Sequence, residues 1–270
     1  MKKLFIPVLS FIFISAAIVR AESVYLLSGN SEIWTMDKST GELITKKYTL
    51  SEYGYSSIGW DTLSAHDGKL YAHNADYGTF VTIDPMNGNI TNNFNLSNYK
   101  YPIFSSTGRL FVRCAESYQP YRISELNPAS GTVIQDYDIN PVSGYARITA
   151  ITFDANDVMF AYIQGSSIQF GQIDLSTNSF TAIGDTLTDY ITMDDFAVDA
   201  DNNLFGICHG GPNYFLEVDI TTGALTPIGS SLNLNSQGIE ILNSQSSIPE
   251  PASLILLGLG LICYRRFYHR

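Results

Sequence analysis

A unit of about 45 residues recurs five times in this chain, and this repeat limits the fold more than any other feature. Each unit opens on an apolar residue followed by an aromatic: Val24-Tyr25, Leu70-Tyr71, Leu110-Phe111, Met159-Phe160 and Leu204-Phe205. The aromatics stand 46, 40, 49 and 45 residues apart. A turn follows in every unit, at 37–41 (DKSTG), 84–88 (DPMNG), 127–131 (NPASG), 174–178 (DLSTN) and 219–223 (DITTG). The opening Asp or Asn is suited to accept backbone N–H groups, and the closing Gly or Asn to adopt the left-handed conformation. Apolar alternation flanks the turns, as in FVTI at 80–83 and ITNNF at 90–94, so each is read as a hairpin. Second hairpin tips fall at 66–69, 106–109, 155–157 and 200–203. Four strands at this period predict β-propeller blades in an all-β fold.

The count also indicates how such a ring closes. The first unit lacks the strand that precedes the aromatic pair elsewhere, and residues 238–242 (GIEIL) form an orphan strand after the fifth. Pairing this strand with the first unit joins the N- and C-terminal strands and removes free sheet edges. The expectation is five four-stranded blades over residues 22–243; an open arc, or a sixth blade drawn from 51–62, is the alternative. On this ring Cys114 and Cys208 hold equivalent places in blades that are not neighbours. Two buried free thiols are therefore expected rather than a disulfide.

The two ends of the chain carry different signals. Lys2 and Lys3, an apolar run over 4–19 and the small residue Ala21 compose a secretory signal peptide (1–21), cut by signal peptidase to leave Glu22 first. At the other end, after a linker at 244–248, residues 249–270 carry Pro249-Glu250-Pro251, a Gly-containing apolar stretch, then Arg265, Arg266 and Arg270. The prolines break any incoming helix and leave an extended segment for an enzyme to grip. The apolar stretch reads as a short transmembrane helix with its arginines held inside. This ordered triplet resembles the PEP-CTERM sorting signal of Gram-negative bacteria. The resemblance implies transient inner-membrane anchoring and processing by an exosortase. It also implies delivery to the outer surface or extracellular matrix, and an association with exopolysaccharide and biofilm.

Between these ends the charge is strongly negative. All 26 acidic residues lie in 22–251 with only nine of the 15 basic ones, a net charge of −17 before histidines are counted. Such a body repels phosphate backbones and excludes nucleic acid as a partner. No nucleophile motif or His-x-x-x-His pair is present. His66, His73 and His209 are scattered, although His73 and His209 each follow an aromatic pair, two and four residues on, and could both face the funnel. The Asp-x-x-Thr-Gly turns faintly resemble those of quinoprotein and related lyase propellers, but lack the tryptophan after the glycine.

Asp199, Asp201 and Asn203 place oxygens on alternate residues as a calcium loop does, while the equivalent segment at 154–157 reads as a plain tip. Asp189, Asp194 and Asp195 are read as a loop before an inner strand, rimming one mouth of the channel. Tyr53, Tyr55, Tyr99, Tyr101, Tyr118 and Tyr121 fall between blades, where their rings could stack on sugars. The expectation is therefore an exported, non-enzymatic binding or structural propeller without catalytic residues or cofactor, contacting polysaccharide or a surface protein. The alternative is a lyase or hydrolase acting on matrix glycans, with Asp194, Asp195 and His209 converging at the funnel.

Overall fold

The computed structural model describes residues 22–115, 121–140, 145–165, 168–185, 192–209, 213–232 and 234–242. Among these residues twenty strands form five separate four-stranded antiparallel sheets. The first comprises β1 (Ser23–Ser28), β2 (Glu32–Met36), β3 (Leu43–Thr49) and, on its inner side, β20 (Ser236–Leu242). The second is β4 (Trp60–His66), β5 (Lys69–Asn74), β6 (Thr79–Ile83) and β7 (Ile90–Asn95). The third is β8 (Tyr99–Phe104), β9 (Leu110–Cys114), β10 (Arg122–Leu126) and β11 (Val133–Asp138). The fourth is β12 (Tyr145–Phe153), β13 (Met159–Gly165), β14 (Ile168–Asp174) and β15 (Ser179–Ala182). The fifth is β16 (Thr192–Val198), β17 (Leu204–His209), β18 (Asn213–Val218) and β19 (Leu225–Leu232). This is a five-bladed propeller. Residues 51–62 supply no sixth blade: a 3₁₀ turn at Leu50–Tyr53 leads into β4.

The closing strand lies where the repeat placed it. In β20, Ile239 pairs with Leu26 and Ile241 with Val24, so the first blade is completed from both ends of the ring. Gly238 is required there, because a Cβ would lie 2.6 Å from the backbone nitrogen of Leu63 in the next inner strand.

The recurring apolar–aromatic pair has a packing cause. Each sheet is covered on both faces, so successive side chains of its second strand enter different cores. Leu110 and Val112 pack between blades two and three, while Phe111 packs between blades three and four. Phe160 enters the core shared by blades four and five, and Phe205 the core shared by blades five and one. The aromatics lie against other rings, as in Phe111 on Phe153 (5.0 Å between centroids) and Phe205 on Phe215 (5.5 Å). Five inter-blade cores result, each built from two sheets; Cys208 packs in the core of blades four and five, and Cys114 is buried at the end of β9.

The outer hairpin turns have the geometry read from the repeat. Asp37 Oδ1 accepts the N–H of Ser39 and Thr40, and Asp219 Oδ1 those of Thr221 and Thr222. Gly41, Gly88, Gly131 and Gly223 close four turns with positive φ, and Asn178 closes the fifth at φ 53°.

Candidate functional site

The inner strands β20, β4, β8, β12 and β16 surround the channel, and their outer-loop ends form one mouth. Side chains from blades two to four gather there. Asp61 Oδ1 lies 2.9 Å from Nδ1 of His73, which is fully buried. Neither Asp61 Oδ2 nor His73 Nε2 has a hydrogen-bond partner. Tyr101 sits at a bulge of β8 with φ 54°, directly before Pro102, where a left-handed backbone is doubly unfavourable. Its ring supports the Arg113 guanidinium, 5.1 Å from ring centroid to Cζ. Burial, with Asp61 nearby, pushes the Tyr101 hydroxyl up to about 12. Arg147, exposed on β12, donates to Gln164 Oε1 at 3.1 Å.

Deeper in the channel, Asp195 is completely buried. Its Oδ2 accepts the N–H of Leu63 at 3.2 Å and of Ile239 at 3.0 Å, linking three inner strands. Loss of hydration on burial raises its carboxyl well above the usual range, against the opposing pull of the Leu63 and Ile239 N–H groups. Glu240, on the closing strand, accepts the N–H of Ile241 and is pushed up to about 8 by burial.

A cavity of about 330 Å³ adjoins the charged mouth, lined by Asn30, Asp61, Asp76, Lys100, Asn235 and Gln237 among others. Amides, carboxylates and an ammonium dominate this list. A second cavity of about 240 Å³, at the other end of the channel, is lined by the inner hairpin tips and Glu240.

The structure redistributes several residues singled out from the sequence. Asp194 and Asp195 do not form a loop rim: both belong to β16, at a register shift between Met193 and Asp195, and both are buried. The bulge breaks strict alternation, which is why the pair read as a loop. Asp189 lies outside the described residues, as does Tyr118. His209 ends β17, opposite Thr192.

The inter-blade tyrosines are largely packing residues. Tyr101 and Tyr121 lie against the core of blades three and four, Tyr99 against that of blades two and three, and Tyr55 edge-on to Trp60. Tyr53 alone of the described set is half exposed. His66 stacks on Phe104 with centroids 4.9 Å apart.

Asp199 turns its carboxylate to its own tip, accepting from Asp201 N and Asn203 N, and to Lys38 Nζ at 2.9 Å. Asp201 and Asn203 are exposed. Among the described residues no three His, Cys, Asp or Glu side chains converge as a metal site. The signal peptide with Ala21, the Pro249-Glu250-Pro251 motif and the arginine tail with its apolar stretch all lie outside the described residues. Among the described residues no helix is long and apolar enough to cross a membrane.

The architecture defines a closed propeller of five blades, and solved structures share it. A chain from a study of the de novo evolutionary emergence of a symmetrical protein shaped by folding constraints aligns with a TM-score of 0.55 and 12% identity. That alignment covers 81% of this chain and 98% of the other. A chain from a nidogen/laminin complex aligns with a TM-score of 0.54 at 10% identity, covering 83% and 100% respectively. At such identities the likeness is one of fold alone. No curated protein matches the chain. Residues 247–270 match the PEP-CTERM protein-sorting motif. The chain is therefore an exported, exosortase-sorted protein with a propeller body.

Proposed function

We propose that this protein is a non-enzymatic binding propeller, displayed on the outer surface or in the matrix, whose ligand is a polyhydroxylated polymer such as an exopolysaccharide of the producing cell. The observation that carries this reading is the cavity at the channel mouth. Its amides (Asn30, Asn235, Gln237) and carboxylates (Asp61, Asp76) are the donors and acceptors that suit hydroxyl groups. The sorting tail supports it by delivering the propeller to the compartment where such polymers lie, and a role in biofilm follows from that placement.

The test has two stages. The full chain is expressed in an exosortase-positive host and in its deletion mutant, and the mass and location of the product are measured. Loss of the tail and surface delivery only with exosortase present is the expected result. The processed protein is then incubated with the host's own polysaccharide; failure to co-sediment, with sorting intact, would sink the binding reading.

A second reading, an enzyme acting on matrix glycans, is favoured by one observation. The Asp61–His73 pair has the geometry of an oriented general base, with His73 Nε2 unpartnered. Release of reducing ends from the same polysaccharide, abolished in His73→Gln, would establish it over the first.

A further inference from the structure

Arginine is scarce in this acidic body, and the four in the described residues divide sharply by environment. Arg109 is paired with Glu125, and Arg122 with Asp136 and Asp138. Arg113 and Arg147 form no ion pair among the described residues, although 26 acidic residues are available in the chain. Arg113 is only 7% exposed, and its Nε–H has no acceptor. The Asp61 carboxylate favours the Arg113 charge from nearby but is paired with His73 and forms no ion pair with it; a buried guanidinium without a bonded anion is costly, and proteins retain one where an outside anion completes it.

Three further features point the same way. Arg147 lies close enough to Arg113 for their like charges to repel, and burial with this repulsion holds the Arg113 guanidinium below its ordinary value. Lys100 is the cross-strand register partner of Arg113, a like-charge pairing that sheets avoid, and it lines the adjoining cavity. Tyr101 holds its strained left-handed conformation directly beneath the Arg113 guanidinium. The Tyr101 ring holds the guanidinium in place, and together these features position positive charge at one mouth of an otherwise negative molecule.

We propose that Arg113 and Arg147, with Lys100 at their flank, clamp the anionic substituent of an acidic sugar, a carboxylate or a phosphate, presented by a polymer lying in the adjoining cavity. This deepens the polyhydroxyl-binding reading and rests on it. The fork of a guanidinium matches both anions in a bidentate geometry, and the Tyr101 ring fixes its plane. The acidic body then acts as a filter: its surface repels polyanions, and only at this mouth do Arg113, Arg147 and Lys100 offset Asp61 and Asp76, favouring one register of the bound chain.

The experiment uses the full chain in detergent and titration calorimetry with three probes: a glucuronate oligomer, glucose 6-phosphate and a neutral glucose oligomer. The expected result is binding of one or both acidic probes about tenfold or more tightly than the neutral one, falling as salt rises. Which acidic probe binds identifies the anion. Arg113→Gln and Arg147→Gln should each weaken it by about tenfold or more, and Arg113→Lys by less. Lys46→Gln, which removes a surface partner of Glu32, should change nothing. Should Arg113→Gln fail to fold, Arg147→Gln, exposed and spent only on Gln164, still decides the matter. Equal affinity for acidic and neutral probes, or unchanged binding in Arg147→Gln, overturns the clamp while leaving the polyhydroxyl reading in place. Binding of no probe, acidic or neutral, overturns both.

Discussion

Glu22 Oε1 accepts the backbone N–H of Ala200 at 2.9 Å, across 178 residues of sequence. The same contact recurs around the ring: Asp157 Oδ1 accepts Ser106 N at 2.7 Å, and Asn202 Oδ1 accepts Ala155 N at 3.0 Å. In blades four and five the acceptor belongs to the left-handed residue of an inner hairpin tip, and it holds the tip of the blade before. Blade one has no such tip, because its inner strand comes from the other end of the chain. Glu22 replaces it, and its carboxylate also pairs with Lys38, which bonds Asp199. The residue expected to become the mature N-terminus thus completes the clasp at the seam.

Glu22→Ala should therefore lower stability by about 1–2 kcal/mol, read as a fall in the melting temperature of the exported protein. Asp157→Ala should cost a similar amount at its own seam. If Glu22→Ala melts with the parent while Asp157→Ala does not, Glu22 is not an equivalent clasp.

Much of this architecture was legible in the chain. The apolar–aromatic pairs report that each second strand is buried on both faces, and the Asp-to-Gly turns carry their own hydrogen bonds. Even the closing strand could be found, since 238–242 had no other partner. The channel mouth was not legible. Asp61, His73, Tyr101, Arg113 and Arg147 come from three blades, and rotation about the ring, which no spacing reports, brings them together. Asp194 and Asp195 were misplaced because a bulge puts consecutive carboxyls inside a strand. The one available signal was the rarity of arginine in a body so rich in carboxylates.

Stability should fall as pH rises through neutrality. Asp195 is buried and Glu240 half-buried in the channel, both hold inner-strand N–H groups, and loss of hydration raises both. A carboxyl with a raised folded-state value binds more protons folded than unfolded, so its stabilising effect is complete below the unfolded value and is lost with rising pH. For Glu240 the window runs from about 4.5 to about 8; Asp195 acts in the same direction. Denaturant midpoints should decline steadily over this window. Asp195→Asn keeps a carbonyl acceptor for Leu63 and Ile239 and should flatten the decline; an unchanged slope in both Asp195→Asn and Glu240→Gln would assign it elsewhere.

The outer turns allow a backbone test. Gly223 has φ 71°, and a Cβ there would lie 2.8 Å from the carbonyl oxygen of Ile183. Gly223→Ala should cost about 1–2 kcal/mol for the left-handed conformation alone, and more through the contact. At the equivalent place Asn178, φ 53°, already bears a side chain. Asn178→Gly should be neutral or mildly stabilising, and comparing the two melting temperatures separates strain from packing.

Chemical labelling of the cysteines would test the ring itself. Cys114 and Cys208 are buried in different blades, and burial pushes the Cys208 thiol up to about 11. A thiol reagent needs both access and thiolate; the folded protein denies it access at both positions, and the raised Cys208 thiol disfavours the thiolate there. Labelling of these two positions under native conditions should track global unfolding and accelerate in step with denaturant. Deleting residues 236–242 removes Ile239 and Ile241 from the core between blades five and one, and leaves β1 with an unpaired edge. Cys208 lies one core away, beside Met193 and Leu204. If closure by β20 holds the propeller together, the deletion should expose both thiols at once. Rapid labelling of Cys208 with Cys114 still protected would instead show that the blades hold pairwise, with the closing strand securing only its own seam.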